Sequence, residues 1–452
     1  MIQTQQIVFK NLIKLPNILW GKSPVDIQKI FRQPSAGQIL HGQFSLAYED
    51  DAAVFLIRDR LGLNKLFYHI DEDKKIVTAG NYLVDLIEKH CPHEKIFSVP
   101  AGHYVRIDKA GFKKQVHCYY DISSIAAGGP FDMVDFQKKV KEALTGGFEF
   151  LKENFKECEY FVCLSGGLDS AVIANFAKRY LNGRVKAVTF TYALRETIQK
   201  YGTVIADPEA EVLSDSLLSD DFHRAYRIAK ILGLPFVAVL VEKKIDPADL
   251  RQVLTLGQDW RDFNVHCAWV NYHIALNIKK YFSKTSIVFL TGDLMNEFMA
   301  DYTAVDYKGE TYYFQPRIKK DRLRKFYVYG LDAGDREIGV FYSQNTRVIQ
   351  PYSLVAELYL TVPGNFLEDP QAKQKLNADL LLDQAVLKKV SQKKLRSQVG
   401  GEDRGTLGLF HDAGITENVL KEQWISLLAK PTDTQIQKAS LLKFIYAGRY
   451  RH

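Results

Sequence analysis

Apolar runs and helical segments alternate along much of the chain. Short, largely apolar runs predict buried strands at 160–164, 185–192, 236–241 and 287–290. Ala-rich or amphipathic stretches between these runs predict helices at 170–181, 220–232 and 267–278. Strands that are separated by helices predict an α/β fold with a parallel, doubly wound sheet. Ligands of such sheets bind at the carboxyl ends of the strands.

The first 120 residues or so have a strand-rich pattern instead. Apolar or alternating runs predict strands at 43–48, 53–58, 75–79 and 103–107. The first two of these flank the acidic turn 49–51, which is typical of a hairpin.

A breaker-rich segment of small residues, 123–130, separates this part from a predicted helix at 133–154. From about residue 350 onward the pattern is mostly helical. We therefore expect two domains, 1–122 and 131–452.

Composition and charge narrow the class of protein. Charged residues make up 25% and hydrophobic residues 46%, as in globular proteins. A net charge of +7 mildly favours anionic ligands but does not amount to a nucleic-acid surface. The N-terminus has no signal-peptide pattern and no run approaches membrane-spanning length, so we expect a cytoplasmic protein with no membrane partner. Five scattered cysteines, with no Cys-x-x-Cys pair, predict reduced thiols.

The segment 165–170 reads Ser-Gly-Gly-Leu-Asp-Ser and follows directly on a predicted strand. A strand, a tight turn and a helix N-terminus in this order expose backbone N–H groups, which bind phosphate. Glycines let a ligand approach the main chain, and the two serines add hydroxyl donors. Asp169 alone would repel phosphate, but a Mg²⁺ ion that bridges carboxylate and phosphate explains its place. The alternative is an ordinary glycine turn with a Ser/Asp helix cap.

This loop is neither a Walker loop nor a dinucleotide-binding Gly-x-Gly-x-x-Gly. It resembles the pyrophosphate-binding loop of the ATP pyrophosphatases, which split ATP into AMP and pyrophosphate. With both halves considered, the chain is similar to the asparagine synthetase family, including its lactam-forming members. Segments 58–68 and 100–103 look like parts of that family's glutaminase domain, and 290–297 looks like its Ser-Gly-Glu-Gly-x-Asp-Glu segment.

The resemblance implies a shortened class II glutaminase-like (Ntn-type) domain, followed by an ATP pyrophosphatase domain with a helical C-terminal part. It implies an ATP site made of Leu164, Ser165, Gly166, Gly167, Leu168, Asp169, Ser170, Thr189, Phe190, Thr191, Thr291 and Gly292. Asp169 and Asp293 are assigned to Mg²⁺, and Asp293, Glu297 and Arg396 to catalysis. A helix cap for Asp293 and a plain helix charge for Glu297 are the alternatives.

The chain departs from the family pattern in three ways, one of which is Asn296 where the family usually has Asp. Glutaminase members use an N-terminal cysteine as nucleophile, whereas this sequence has no cysteine before Cys91. We therefore expect the first domain to be a scaffold without glutaminase activity. The family also places a lysine near the C-terminus, and here Arg396 stands in the expected region. Lysines nearby in sequence are Lys388, Lys389, Lys393 and Lys394.

These features predict an AMP-forming amide-bond synthetase, a carbon–nitrogen ligase that uses ATP and Mg²⁺ but not glutamine. The expected substrate is a small-molecule or peptide carboxylate, and the expected partners are biosynthetic enzymes, not nucleic acid. An amine on the substrate itself would give a lactam or macrolactam, as in the β-lactam synthetases and lasso-peptide cyclases that the chain resembles.

Three alternatives stay open. One is amidation with free ammonia or a small amine, another a non-catalytic nucleotide-binding protein, and the third sulfur transfer to a nucleobase. The segment 259–269 lies where the family builds its acceptor pocket, although its aromatic residues are also typical of a core.

Overall fold

The structure is a computed structural model of the chain. It describes residues 7–20, 40–125, 131–181, 183–209, 212–214, 218–299, 305–313, 334–367, 369, 371–381, 384–390 and 405–428. Among these residues, none of the helices combines the length and the apolar character that a membrane span requires.

Strands β1 to β18 follow one another in the described part of the chain. They are Val8–Leu12, Ile18–Leu19, Gly42–Gln43, Ser45–Glu49, Ala53–Arg58, Phe67–Asp71, Ile76–Gly80, Ile96–Ser98, His103–Asp108, Lys114–Cys118, Cys158–Cys163, Val185–Ala193, Val204–Ala206, Phe236–Glu242, Ser286–Leu290, Val305–Tyr307, Glu310–Tyr312 and Arg347–Ile349.

Helices α1 to α15 are numbered in the same way. They are Leu83–Glu88, Met133–Asn154, Leu168–Tyr180, Arg195–Tyr201, Asp220–Leu232, Pro247–Gly257, Asp262–Tyr281, Met295–Met299, Gly339–Tyr342, Ala356–Thr361, Gly364–Leu367, Ala372–Leu381, Gln384–Leu387, Gly405–Asp412 and Glu417–Leu428. A π-helical turn, Gly334–Ile338, precedes α9.

Two four-stranded sheets form the first region, with strand orders β1-β7-β6-β8 and β10-β9-β5-β4. Strand β1 runs parallel to β7, and all other neighbours in these two sheets are antiparallel. Val54 and Leu56 from one sheet share a buried cluster with Tyr68 and Val77 from the other. The two sheets therefore face each other across an apolar layer. The likeness of this region to a class II glutaminase domain stays a prediction.

A six-stranded sheet forms the second region, in the order β13-β14-β12-β11-β15-β18. Five strands are parallel, and only the edge strand β13 is antiparallel to its neighbour. The chain builds outward from β11 through β12 to β14 and then returns to place β15 on the other side of β11. Because parallel crossovers are right-handed, this reversal puts helices on both faces of the sheet. The predicted doubly wound α/β sheet is thus confirmed.

The reversal of strand order between β11 and β15 marks the position of the ligand site. In open α/β sheets, ligands bind beyond the carboxyl ends of the strands where the winding changes direction. The segments that leave β11 and β15 at this edge are 164–170 and 291–293.

The two regions share buried clusters. Leu83 and Leu86 of α1 belong to the same apolar cluster as Trp269 of α7 and Trp424 of α15. At the same boundary, Gln258 accepts a hydrogen bond from Leu83 N at 2.8 Å and donates one to the carbonyl oxygen of Asn81 at 2.9 Å. The expected domains 1–122 and 131–452 meet across this packed surface, and residues 126–130 between them lie outside the described part of the chain.

Candidate functional site

The segment 164–170 has the strand–turn–helix arrangement that the sequence predicts. Strand β11 ends at Cys163 and helix α3 begins at Leu168, so Gly166 and Gly167 form the turn between them. Gly166 has a left-handed φ of 75°, which favours glycine. A Cβ placed on Gly167 would meet only the Ser165 hydroxyl, 3.5 Å away, so the main chain here faces open space.

The two serines of this loop close it across the turn. The Ser170 hydroxyl lies 3.1 Å from the Ser165 hydroxyl and accepts from the Ser165 backbone N–H at 3.2 Å. It also donates to the carbonyl oxygen of Gly167 at 3.1 Å. The loop is therefore shaped by its own side chains before any ligand binds.

The segment after β15 lies directly against this loop. A Cβ on Gly292 would come within 2.6 Å of the Ser170 backbone nitrogen and 2.7 Å of the Asp169 carbonyl carbon. Such distances leave no room for a side chain, so Gly292 is required by the close approach of the two backbones. Thr291 and Asp293 are consequently placed next to the start of helix α3.

Strand β12, which carries three of the residues predicted for the ATP site, contributes mostly buried groups. Thr189 is 5% exposed and donates to the carbonyl oxygen of Leu164 at 2.5 Å, which ties β12 to the start of the loop. Thr191 is also buried, whereas Phe190 is half-buried and contacts the rings of Tyr192 and His273. Of the three side chains on β12 that are predicted for the ATP site, Phe190 is the one that reaches the surface.

Arg336 is the centre of a buried charge cluster beside this site. Its guanidinium donates to both carboxylate oxygens of Asp293, at 2.7 and 2.6 Å, and to Glu297 at 2.7 Å. Asn264 accepts from the same group at 3.3 Å. The Arg336 side chain is 4% exposed and the Glu297 side chain likewise 4%, so this arginine fixes two of the predicted catalytic carboxylates.

A second buried carboxyl group, Glu337, links the site to the first region. One of its oxygens accepts from the Thr291 hydroxyl at 2.8 Å and from the Gln350 amide at 2.6 Å. Gln350 in turn donates its backbone N–H to Gln43 of β3 at 3.0 Å. A continuous chain of polar contacts therefore connects a strand of the first region with the end of β15.

Burial controls the ionisation of these carboxyl groups. It raises the pKa of Glu297, against the opposing effect of Arg336, and it raises the pKa of Glu337 well above the usual range. Neighbouring Asp293 raises both further. Protonated Glu337 would still accept the two hydrogen bonds of Thr291 and Gln350, so its neutral form is compatible with the observed contacts.

Among the described residues, no cluster of three or more His, Cys, Asp or Glu side chains could hold a metal ion without help from a ligand. Mg²⁺ on a nucleotide needs only one or two carboxylates, because phosphate oxygens and water complete its shell. Asp169 is half-buried at the second residue of α3, beside the open face of the loop, and fits this role. Both oxygens of Asp293 accept hydrogen bonds from Arg336, and its assignment to Mg²⁺ stays a prediction.

Other predicted features fall outside the cluster. Arg396, Lys393 and Lys394 lie outside the described residues, and Lys388 and Lys389 are exposed after α13. In the segment 259–269, the two tryptophans are buried core residues. His266 is 1% exposed and bonds Tyr313 through Nδ1 at 2.8 Å. The acceptor pocket expected there stays a prediction.

Sequence reasoning missed Arg336, Glu337 and Gln350. The signal available was a run of three charged residues, 335–337, directly before the apolar segment 338–341. Charges at the edge of an apolar run are usually exposed, so nothing local distinguishes this run from a helix surface. The role of Arg336 emerges only from its contacts with residues about 40 positions away.

Comparison with known proteins agrees with this description of the second region. A family model described as asparagine synthase matches residues 155–397. A probable glutamine-hydrolysing asparagine synthetase of Schizosaccharomyces pombe is 30% identical over 149 residues, which cover 32% of this chain and 25% of that protein. Asparagine synthetase B of Escherichia coli is 28% identical over 150 residues, again 32% and 25% of the two chains. The match thus spans about a quarter of the length of these relatives.

Two solved structures are more distant. NMN synthetase from Francisella tularensis has a TM-score of 0.24 at 13% identity, over 59% of this chain and 98% of its own. The NH3-dependent NAD synthetase of Campylobacter jejuni has a TM-score of 0.26 at 13% identity, over 63% and 97%. Scores this low do not bear on the fold or function of this chain. The family model, by contrast, matches more than half of it, and the chain therefore belongs to the asparagine synthase family.

Proposed function

We propose that this protein is an ATP-dependent, AMP-forming amide-bond synthetase. The observation that carries the proposal is the contact between Gly292 and the backbone of Ser170, which joins the ends of β11 and β15. It places the open Ser-Gly-Gly loop and the Asp293–Glu297–Arg336 cluster at one edge of the sheet. Donors suited to phosphate and carboxylates suited to the chemistry of the second step are thus adjacent.

The proposed first step activates a substrate carboxylate. A carboxylate oxygen bonds to the α-phosphorus of ATP, the bond to the bridging oxygen breaks, and its electron pair leaves with pyrophosphate. Backbone N–H groups and hydroxyls of the loop 165–170 hold the negative charge that moves onto the leaving group. A Mg²⁺ ion bound by Asp169 would offset part of the phosphate charge.

The proposed second step forms the amide. An amine attacks the acyl carbon of the adenylate, AMP leaves with the acyl–oxygen electron pair, and the proton that the amine loses passes to solvent water. Asp293 is the more exposed of the two carboxylates that Arg336 binds, with 14% of its side chain accessible. Arg336 therefore acts as a positioning residue for Asp293 at the edge of the site.

We further propose that the reaction does not use glutamine. In the first region, Cys91 is buried and burial raises the pKa of its thiol, which disfavours the nucleophilic thiolate. Cys118 is exposed, yet partial burial and Asp121 raise the pKa of its thiol too. Neither thiol has the environment of an activated nucleophile.

An amine on the substrate itself would replace an external nitrogen source. A tethered amine reaches the adenylate at a high effective concentration, so no ammonia supply is needed. Free ammonia or a small amine is the second candidate for the nitrogen nucleophile. The described residues include a candidate phosphate loop and a carboxylate cluster, but they do not identify a binding site for the amine that accepts the acyl group.

One experiment separates these cases. The protein is incubated with ATP, Mg²⁺ and one member of a panel of amino-acid and peptide carboxylates. Each carboxylate is tested without a further nitrogen source, with glutamine, and with nitrogen-15 ammonium. Loss of one water from the carboxylate substrate, with AMP and pyrophosphate formed in equal amounts, supports ring closure. A product that carries nitrogen-15 contradicts ring closure and supports the second candidate, and release of glutamate contradicts the proposed independence from glutamine.

A further inference from the structure

Arg224 lies on helix α5 directly against the phosphate loop. A Cβ placed on Gly166 would come within 2.8 Å of the Cβ of Arg224 and 3.1 Å of the carbonyl oxygen of Asp221. Because Gly166 has no side chain, the first turns of α5 pack against the loop without a gap. The long side chain of Arg224 therefore starts beside a residue of the predicted pyrophosphate site.

The guanidinium of Arg224 is incompletely satisfied by the protein. Its Nη1 atom is buried and has no hydrogen-bond partner among the residues that the structure describes. The Asp221 carboxylate lies 3.8 Å from it, which is too long for a hydrogen bond. A buried donor on a charged group is costly to leave unpaired, and such groups usually bind an ion, a water or a ligand.

The Asp221 carboxylate compensates the positive charge of Arg224 only weakly. Its burial raises the pKa of the carboxyl to about 6, although Arg224 acts in the opposite direction. An arginine that formed a close, bidentate pair with this carboxylate would favour the ionised form strongly. The positive charge of Arg224 is thus available to another anion.

We propose that Arg224 is a phosphate-binding residue that donates to the pyrophosphate portion of ATP. This inference rests on the proposed function, since it assumes that the loop 165–170 binds ATP. Arginine presents several N–H donors in a planar fork, which matches the geometry of phosphate oxygens. As the bond to the α-phosphorus breaks, negative charge builds up on pyrophosphate, so a donor at this position stabilises the leaving group.

The competing explanation is that Arg224 serves only the helix, through its pair with Asp221 three residues earlier. With 30% of its side chain exposed, such a pair contributes little. The two explanations differ in what they expect of anion binding, which can be measured without knowing the carboxylate substrate.

The test uses isothermal titration of the full chain with inorganic pyrophosphate and with ATP, both in the presence of Mg²⁺ and at fixed ionic strength. We expect Arg224→Gln to weaken pyrophosphate binding by about tenfold to a hundredfold, as for the loss of a hydrogen bond to a charged group. Arg224→Lys, which keeps the charge but not the fork, should lie between this variant and the wild type. Arg227→Gln removes an exposed charge from the same helix and is the matched control.

The binding results distinguish a phosphate-binding role of Arg224 from a purely structural one. Pyrophosphate binding by Arg224→Gln with wild-type affinity overturns the inference and leaves the proposed function intact. Equal losses of pyrophosphate affinity in Arg224→Gln and Arg227→Gln also overturn the inference, because the change in net charge alone would then explain the weaker binding. A wild-type protein that binds neither ATP nor pyrophosphate overturns the proposed function itself. A normal thermal midpoint for Arg224→Lys with reduced binding shows that the effect is not one of folding.

Discussion

The α-carbon of Gly292 lies against the backbone nitrogen of Ser170, so close that a methyl group at Gly292 would sit 2.6 Å from that nitrogen. This contact joins two loops that leave adjacent strands of the parallel sheet. It fixes the distance between the predicted phosphate site and the carboxylate cluster that surrounds Arg336.

Gly292→Ala should disturb both stability and activity. The added methyl group meets backbone atoms that cannot rotate away, so we expect a loss of about 1 to 3 kcal/mol in the free energy of unfolding. Pyrophosphate release should fall more than this loss explains, because the loops are forced apart. Urea denaturation and an ATP-dependent pyrophosphate assay measure the two effects.

Gly146→Ala is the matched control. Gly146 lies within helix α2 and has no atom within 4 Å of its missing Cβ. Alanine there should raise stability by about 0.5 to 1 kcal/mol, since glycine is unfavourable inside a helix. Equal stability of the two alanine variants would contradict the close approach of the loops.

Arg336→Met should destabilise the protein strongly. The substitution leaves Asp293 and Glu297 without the cation that both bind, and breaking a buried pair in this way costs about 3 to 5 kcal/mol. The midpoint of urea denaturation measures the loss. Lys139→Met, which breaks an exposed pair with Asp135 on α2, is the control and should leave the midpoint unchanged. An Arg336→Met midpoint equal to that of the wild type would show that the cluster is not an energetic unit.

Asp169→Asn should abolish turnover and preserve the fold. We expect pyrophosphate release to drop by at least about a hundredfold, the scale for removing a group that stabilises charge in the transition state. Asp220→Asn, an exposed carboxylate in the first turn of α5, should retain activity. Normal pyrophosphate release by folded Asp169→Asn protein would exclude the proposed role of this carboxylate.

Acid should weaken the fold through His273. Burial lowers the pKa of this histidine to about 4, from an ordinary value near 6.5. Between these pH values the unfolded chain gains a proton that the folded protein does not, so stability falls as the pH drops from 6.5 to 4. The expected contribution is about 3 kcal/mol.

Urea denaturation at several pH values checks this prediction. The stability of His273→Gln should depend less on pH between 6.5 and 4 than that of the wild type. His117→Gln, at the edge strand β10, controls for the loss of an imidazole as such. Parallel pH profiles of wild type and His273→Gln would contradict the assignment.

The sequence allows prediction of those parts of the fold that local patterns determine. Helices Met133–Asn154 and Asp220–Leu232 have the predicted bounds, and the second of these ends at Gly233 with φ 64°. Four strands of the parallel sheet lie within a residue or two of their predicted positions. Apolar periodicity and capping residues determine these elements, and both can be read from neighbours in the chain.

Features that depend on distant contacts could not be predicted. The short edge strand β13 is antiparallel and has only three residues, which periodicity does not distinguish from a loop. Arg336 belongs to a charged run, and its burial depends on partners contributed by α7 and by the segment after β15. Likewise, the contact from Gln43 to Gln350 crosses about 300 positions of sequence and follows only from the packing of the two regions.

The nucleotide products of the reaction test the central proposal most directly. Wild-type protein is incubated with ATP, Mg²⁺ and a carboxylate that supports turnover, and the nucleotides are separated by chromatography. We expect AMP and pyrophosphate in equal amounts, with neither formed by Asp169→Asn. Formation of ADP and phosphate instead would contradict the proposal, because the loop would then not direct attack to the α-phosphorus.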